Sequence, residues 1–462
     1  MLSLETTVGS VPGKPRVAYV ASYPPRECGI ATFTRDLVSA IDRLNATNPG
    51  EILALRDPGQ ELVYPPCVRR EIAVDDPASY AEAAAYVNAG PAELVNVQHE
   101  YGLFGGRQGD YLLRFLDRLT KRVLITMHTV LPEPDPELRR VTQALAQRAN
   151  RVIVLARSAI DILERDYNIQ PDHALFIPHG VPNVSLMHAP LAKQALGLEN
   201  RLVLATCGLM NPGKGIEYAI QSLAGLVDDF PDVLYLVVGE THPGVRAQNG
   251  EAYRERLQAL VTELGLEQNV RFHNHYLSYQ DLVLHLLAAD VYVVPYLDLS
   301  QIVSGTLAYA LGCGRAIVST PSAYAREVLA NGRGSVVPAR DPVALADALR
   351  ELLSDPRRRA AMQRQAYAYG HAMIWSRVAK AYIQAFKEEL AGSRRAETLA
   401  LLPALAGMEQ ISPVLDYAGP PLTQATGHRQ QRAWRAGALY SVRPASATSS
   451  WASSQARSDS AP

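Results

Sequence analysis

From Arg16 to about Asp355, short apolar runs rich in β-branched residues alternate with amphipathic helical patterns, and this rhythm is played twice. Such alternation marks parallel α/β layers, because a parallel strand reaches its neighbour only through a crossover helix. In the first series strands are read at 17–21, 52–55, 94–97, 123–127, 152–155 and 175–177, with helical patterns such as 33–44, 111–119 and 158–167 between them. The stretch Ile177-Pro178-His179-Gly180-Val181-Pro182 carries two prolines and a glycine, and reads as a connector and hinge. The second series has strands at 202–207, 234–238, 270–273, 291–294, 316–319 and 335–337. The expectation is two Rossmann-like α/β domains.

At 462 residues the chain exceeds what one compact core accommodates. The boundaries are expected as a flexible N-terminus (1–15), a first domain (16–182), a second domain (183–370), a helix (371–390) and a low-complexity tail (391–462). That tail has seven arginines, four acids and no lysine, and too few apolar residues to offset the entropy of ordering. A formal net charge of -1 gives no electrostatic footprint for nucleic acid. Cys28, Cys67, Cys207 and Cys313 are scattered without a CxxC pair, which argues against zinc and against a disulfide scaffold. The N-terminus lacks a basic segment followed by an apolar run, and no apolar stretch approaches the roughly 20 residues that span a bilayer. The expected location is therefore cytoplasmic.

Ligands of doubly wound sheets bind at the carboxyl ends of the strands, so the residues after each strand are the candidates. The first strand leads through Cys28-Gly29 into a helix, where a glycine lets backbone N–H groups approach an anion. His99-Glu100-Tyr101 and His128 follow two neighbouring strands and would face one crevice. In the second half, Gly208-Leu209-Met210-Asn211-Pro212-Gly213-Lys214-Gly215 follows the first strand. Its glycines free the backbone and Lys214 supplies the compact cation that a diphosphate requires. The GxxxxGK[ST] spacing of a Walker A loop is not met. Ser304, Gly305 and Thr306 open a helix and would aim free N–H groups at an anion, with Ser304 also capping it. His273-x-His275 lacks carboxylates and fits strand alternation better than a metal site, so no metal is expected.

Taken together, these segments resemble the retaining, nucleotide-sugar-dependent family 4 glycosyltransferases (glycosyl transferases group 1), which have the GT-B fold of two facing Rossmann-like domains with a cleft between them. The resemblance is carried by the Gly29 loop, His99, His128, 177–181, the Gly208–Gly215 loop, Leu307-Ala308-Tyr309-Ala310-Leu311-Gly312-Cys313-Gly314, and Glu327 followed by Asn331-Gly332-Arg333-Gly334. It implies that the first domain takes the acceptor, with His99, Glu100 and Tyr101 on that side, and the second the donor. Lys214, Gly29 and the amides near Ser304, Gly305 and Thr306 would hold the leaving diphosphate. His128 would stand beside the transferred sugar, and Gln301, Tyr309, Tyr276, Leu277 and Glu327 would meet the donor sugar or nucleotide. The helix 371–390 would cross back onto the first domain. The sequence departs from the family at three points. Leu209 stands where an arginine is usual, and Gln301 and Tyr309 stand where two glutamates are usual.

The activity so implied is hexosyl transfer from a nucleoside-diphosphate sugar to an acceptor hydroxyl of a carbohydrate or glycoconjugate, with retention and without a cofactor. The three departures motivate an alternative, a non-catalytic nucleotide-sugar-binding or regulatory protein. The basic and apolar segment 107–122 admits a peripheral membrane contact, but a core-packed helix is the preferred reading.

Overall fold

The structure, a computed structural model, describes residues 15–392. The expected flexible start and the low-complexity tail lie outside the described residues but for their innermost positions. The first sheet comprises β1 (Val17–Ala21), β2 (Glu51–Arg56), β3 (Val68–Ala73), β4 (Leu94–His99), β5 (Arg122–Met127), β6 (Arg151–Val154) and β7 (Ala174–Phe176). All are parallel, in the order β3-β2-β1-β4-β5-β6-β7. The second comprises β8 (Leu202–Cys207), β9 (Val233–Val238), β10 (Val270–His273), β11 (Val291–Val294), β12 (Ala316–Ser319) and β13 (Ser335–Val336), parallel in the order β10-β9-β8-β11-β12-β13. Interior strands such as β1 (Val-Ala-Tyr-Val-Ala) and β9 (Val-Leu-Tyr-Leu-Val-Val) are buried along their whole length, as strands covered by helices on both faces must be. The two sheets reverse their strand order between β1 and β4 and between β8 and β11, which opens a crevice at each carboxyl edge.

The first helix (Gly29–Leu44) buries Ala31, Phe33, Leu37, Val38 and Ile41 on its sheet-facing side. The closing helix (Trp375–Ala391) packs Trp375, Val378, Tyr382 and Phe386 into the same cluster as Val17, Tyr19, Leu37 and Ile41, and so lies on the first domain. Its Tyr382 hydroxyl is 3.1 Å from Thr126 Oγ1 of β5. Where the chain passes between domains, its two crossings are bonded to each other: Val181 N–H donates to Met373 O at 3.0 Å and Trp375 N–H to Val181 O at 3.2 Å. Gly180 lies so close to Trp375 that a Cβ there would stand 2.2 Å from the indole.

Two sequence expectations need adjustment. A strand, β3, stands where none was read, and it is an edge strand carrying three consecutive charged residues, Arg69, Arg70 and Glu71. Within 107–122 the helix is only Leu112–Leu116, and its Leu112, Phe115 and Leu116 are buried in the first-domain core, as the core-packed reading has it. Among the described residues no helix is long and apolar enough to cross a membrane.

Candidate active site

At the carboxyl edge of the second sheet, β8 runs into the Gly208–Gly215 loop, which the neighbouring strand ends hold by backbone bonds. Gly208 N–H donates to Val238 O at 2.9 Å, Met210 N–H to Glu240 O at 2.8 Å and Leu297 N–H to Gly213 O at 2.9 Å. Gly215 closes the loop at φ +59°, where a Cβ would fall 2.2 Å from Pro295 O, so only glycine brings the loop this near β11. The effect is to seat Lys214 against the segment that follows β11. Its ammonium lies 3.7 Å from the centroid of the Tyr296 ring. From that same segment springs the helix Gly305–Gly312, whose first turn Ser304 caps by accepting from Leu307 N–H at 3.4 Å. Thr306 Oγ1 is 3.1 Å from the Tyr296 hydroxyl. Lys214, Ser304, Gly305 and Thr306 thus converge at the second switch point, a cation beside a helix N-terminus with free amides. Burial raises the Tyr296 phenol, but the Lys214 charge and hydrogen bonds from Lys214, Thr306 and Ser304 outweigh it and hold it below its ordinary value.

Across the cleft, the first domain contributes His128, next after β5. Its Nε2 is 2.9 Å from Gln98 Oε1. Gln98 in turn directs its amide N–H toward Asn96 Oδ1 and Thr126 Oγ1, so its oxygen must face the imidazole. His128 therefore donates from Nε2, and Nδ1 remains as an acceptor. Burial first, then the neighbouring His179 and His99, push His128 down to about 3, so the ring is neutral at physiological pH. The Phe33 ring packs edge-on against both His128 and His179, at centroid distances of 4.7 and 5.0 Å.

The remaining expected residues divide. Gly29 is exposed at the first position of its helix. Glu100 accepts from Tyr101 N–H at 3.0 Å and from the Thr129 hydroxyl, and burial raises it above the usual carboxylate range. Tyr101 is buried, with its hydroxyl 2.7 Å from Thr142 Oγ1. Gln301 is half-buried beside the capped turn, and Leu277 packs on the second-domain core.

Three of the expected residues have other partners in this structure. His99 faces no acceptor: it is wholly buried, stacked on Phe104 at 5.5 Å, with neither ring nitrogen hydrogen-bonded. Glu327 is engaged by the first domain, accepting from Arg157 N–H at 2.9 Å, Ser158 N–H at 3.0 Å and Ser158 Oγ at 2.8 Å. Tyr309 donates its hydroxyl to Asp36 of the first helix at 2.7 Å. A second bond between the domains joins Tyr276 and Thr32, whose hydroxyls are 3.2 Å apart.

Sequence reasoning gave no role to Tyr296, His179, Asp36 or Phe33. His179, pushed down to about 4 by burial, lies 3.1 Å from where a Cβ of Gly305 would be. Ile302 inserts into the first-domain core beside the cleft. Glu27 of the first-domain loop is raised by a hydrogen bond to Glu240 of the second domain, and further by burial. Among the described residues no group of three His, Cys, Asp or Glu side chains is placed to hold a metal ion.

Residues 190–369 match the family model described as "Glycosyl transferases group 1". Among similar proteins, the phosphatidyl-myo-inositol mannosyltransferase of Mycolicibacterium smegmatis is 30% identical over 245 residues, 52% of this chain and 58% of that one. The D-inositol 3-phosphate glycosyltransferase of Saccharomonospora viridis is 30% identical over 272 residues, 57% of this chain and 61% of that one. The chain thus spans about half to three-fifths of these curated relatives. Among solved structures, sucrose-phosphate synthase from Thermosynechococcus elongatus aligns with a TM-score of 0.66 at 21% identity, covering 82% of this chain and 100% of its own. Anabaena HepE in complex with UDP aligns at 0.63 and 16% identity, over 82% of this chain and 100% of its own. Residues 190–369 are thus similar to the glycosyl transferases group 1 family, and the two sheets of the chain have the GT-B fold.

Proposed function

We propose that this protein transfers a hexosyl group from a nucleoside-diphosphate sugar to an acceptor hydroxyl with retention of configuration. The observation that carries the reading is the convergence of Lys214 with the first turn of the helix Gly305–Gly312 at the second switch point. Charge builds on the departing diphosphate as the glycosidic bond breaks, and a lysine with oriented amides stabilises it there most strongly. The acceptor proton passes to the departing phosphate oxygen on the same face of the sugar. His128, neutral with Nδ1 as acceptor, orients a hydroxyl of the transferred sugar. Domain closure about 177–182 excludes water and limits donor hydrolysis. The two curated relatives named above, with a GDP-mannose-dependent phosphatidylinositol monomannoside mannosyltransferase of Mycolicibacterium smegmatis that is 31% identical over 177 residues, make inositol-containing acceptors and GDP-mannose the first to try.

The test is nucleotide release from a panel of UDP-, GDP- and ADP-sugars with an inositol phosphate, phosphatidylinositol and simple sugars as acceptors. We expect release that depends on acceptor and falls about a hundredfold in Lys214→Ala, the loss of a charge-assisted contact of about 3 kcal/mol. The Tyr309–Asp36 bond, together with Leu209 and Gln301, favours a second reading, nucleotide-sugar binding without turnover. Saturable donor binding with no release from any donor would replace the first reading by the second.

A further inference from the structure

We propose that Tyr296 is the positioning residue that ties Lys214 to the N-terminus of the helix Gly305–Gly312 and holds its ammonium ready for the diphosphate. This deepens the diphosphate reading of that site and rests on it. Lysine is a flexible four-carbon stem, and ordering such a side chain on ligand binding costs affinity. Here the ordering is done in advance. The ring of Tyr296 is 2% exposed and lies under the ammonium at 3.7 Å from centroid to nitrogen, a distance at which the face of an aromatic ring attracts a cation. One face of the ammonium is taken by the ring and one N–H by the phenol oxygen, which leaves N–H donors directed away from the ring for phosphate oxygens.

The ring itself is fixed at its far end, because its hydroxyl bonds Thr306 Oγ1 at 3.1 Å in the first turn of the helix. The two arms of the site come from loops about 80 residues apart and meet through this one side chain. Gly215 enforces the same geometry from the other side by drawing its loop onto Pro295. A smaller residue at 296 would leave Lys214 unseated and Thr306 without its phenol partner. Phenylalanine would keep the ring beneath the ammonium and lose the hydroxyl's bonds to Thr306, Ser304 and Lys214.

The experiment is titration calorimetry of the full chain with inorganic pyrophosphate, on wild type, Tyr296→Leu, Tyr296→Phe and Lys214→Ala. It is paired with carbon-13 spectra of the reductively methylated protein, in which Lys214→Arg assigns the Lys214 resonance. We expect Tyr296→Leu to weaken pyrophosphate about tenfold and Tyr296→Phe to stay within about threefold of wild type. The Lys214 methyl resonance should be shifted upfield by the ring in wild type and in Tyr296→Phe, and not in Tyr296→Leu. Wild-type affinity in Tyr296→Leu, with Lys214→Ala weakened, overturns the proposal. So does an upfield shift that survives the loss of the ring. If Lys214→Ala itself leaves pyrophosphate affinity unchanged, the diphosphate reading fails instead, and the resonance still tests the seat. Should Tyr296→Leu fail to fold, Tyr296→Phe decides: loss of its ring-current shift, or a tenfold loss of affinity, counts against the role.

Discussion

His99 and His128 stand side by side at the ends of β4 and β5, and burial pushes both down to about 3. In the unfolded chain an imidazole titrates near about 6.5. Between those values the unfolded state binds protons that the folded state refuses, so stability rises with pH and is lost as pH falls below about 6.5. Each histidine contributes a slope of about 1.4 kcal/mol per pH unit across that window. His99 is the cleaner probe, since its ring nitrogens make no hydrogen bond and the ring only packs against Phe104 and Tyr101. His99→Phe should keep the stack, leave stability at pH 7.5 undiminished, and flatten the decline between pH 6 and pH 4 by about 1.4 kcal/mol per unit. Urea denaturation at a series of pH values measures this, and an unchanged slope would mean that His99 is already protonated in the native state. What the sequence showed at this scale was residue type and place after a strand. It singled out Lys214 and Thr306, but a tyrosine following a proline carries no sign of lying beneath a lysine, so Tyr296 was passed over.

The helix Ser158–Tyr167 has no side-chain cap of its own, and its first amides are satisfied by Glu327 from the helix Ala323–Val328 of the other domain. A carboxylate at a helix N-terminus both accepts the orphan N–H groups and meets the positive end of the dipole. Glu327→Ala should therefore cost about 2 kcal/mol in chemical denaturation, with Glu327→Gln recovering about half. Faster hydrogen exchange at Arg157 and Ser158 would locate the loss, and unchanged exchange there would deny the cap. The strands β1, β8, β11 and β12 fall on the residues their apolar runs indicate, because burial on both faces demands such runs. β3 escaped notice because Arg69, Arg70 and Glu71 dilute its apolar content, and its alternation is meaningful only beside β2. The first helix begins at Gly29, four residues before its apolar pattern at Phe33, and Cys28 ahead of it supplies no side-chain cap to mark the start.

Across the whole molecule the cleft is bridged by Tyr309–Asp36 and Tyr276–Thr32, pairs separated by 273 and 244 residues. Nothing in a local pattern encodes such partners. Periodicity tells which way a side chain faces, not what it meets, so both tyrosines were read as nucleotide contacts. Asp36 is raised by burial and lowered by Arg35 and by the Tyr309 hydroxyl, so the bond to Tyr309 is one to a desolvated acid. Removing both phenol hydroxyls, in Tyr276→Phe combined with Tyr309→Phe, takes away about 2–4 kcal/mol of closure and should raise the open population at least tenfold. Small-angle scattering without nucleotide should then give a larger radius of gyration than wild type, whereas an identical curve would show that other contacts hold the cleft shut. The paired crossings at Val181 and Met373–Trp375 decide how such an opening can proceed. Two threads bonded side by side resist being pulled apart or slid past one another, but they bend together along a common line. The protein is thereby left a single soft mechanical coordinate, like a book on its spine, and each reclosing returns Lys214 and His128 to the same alignment.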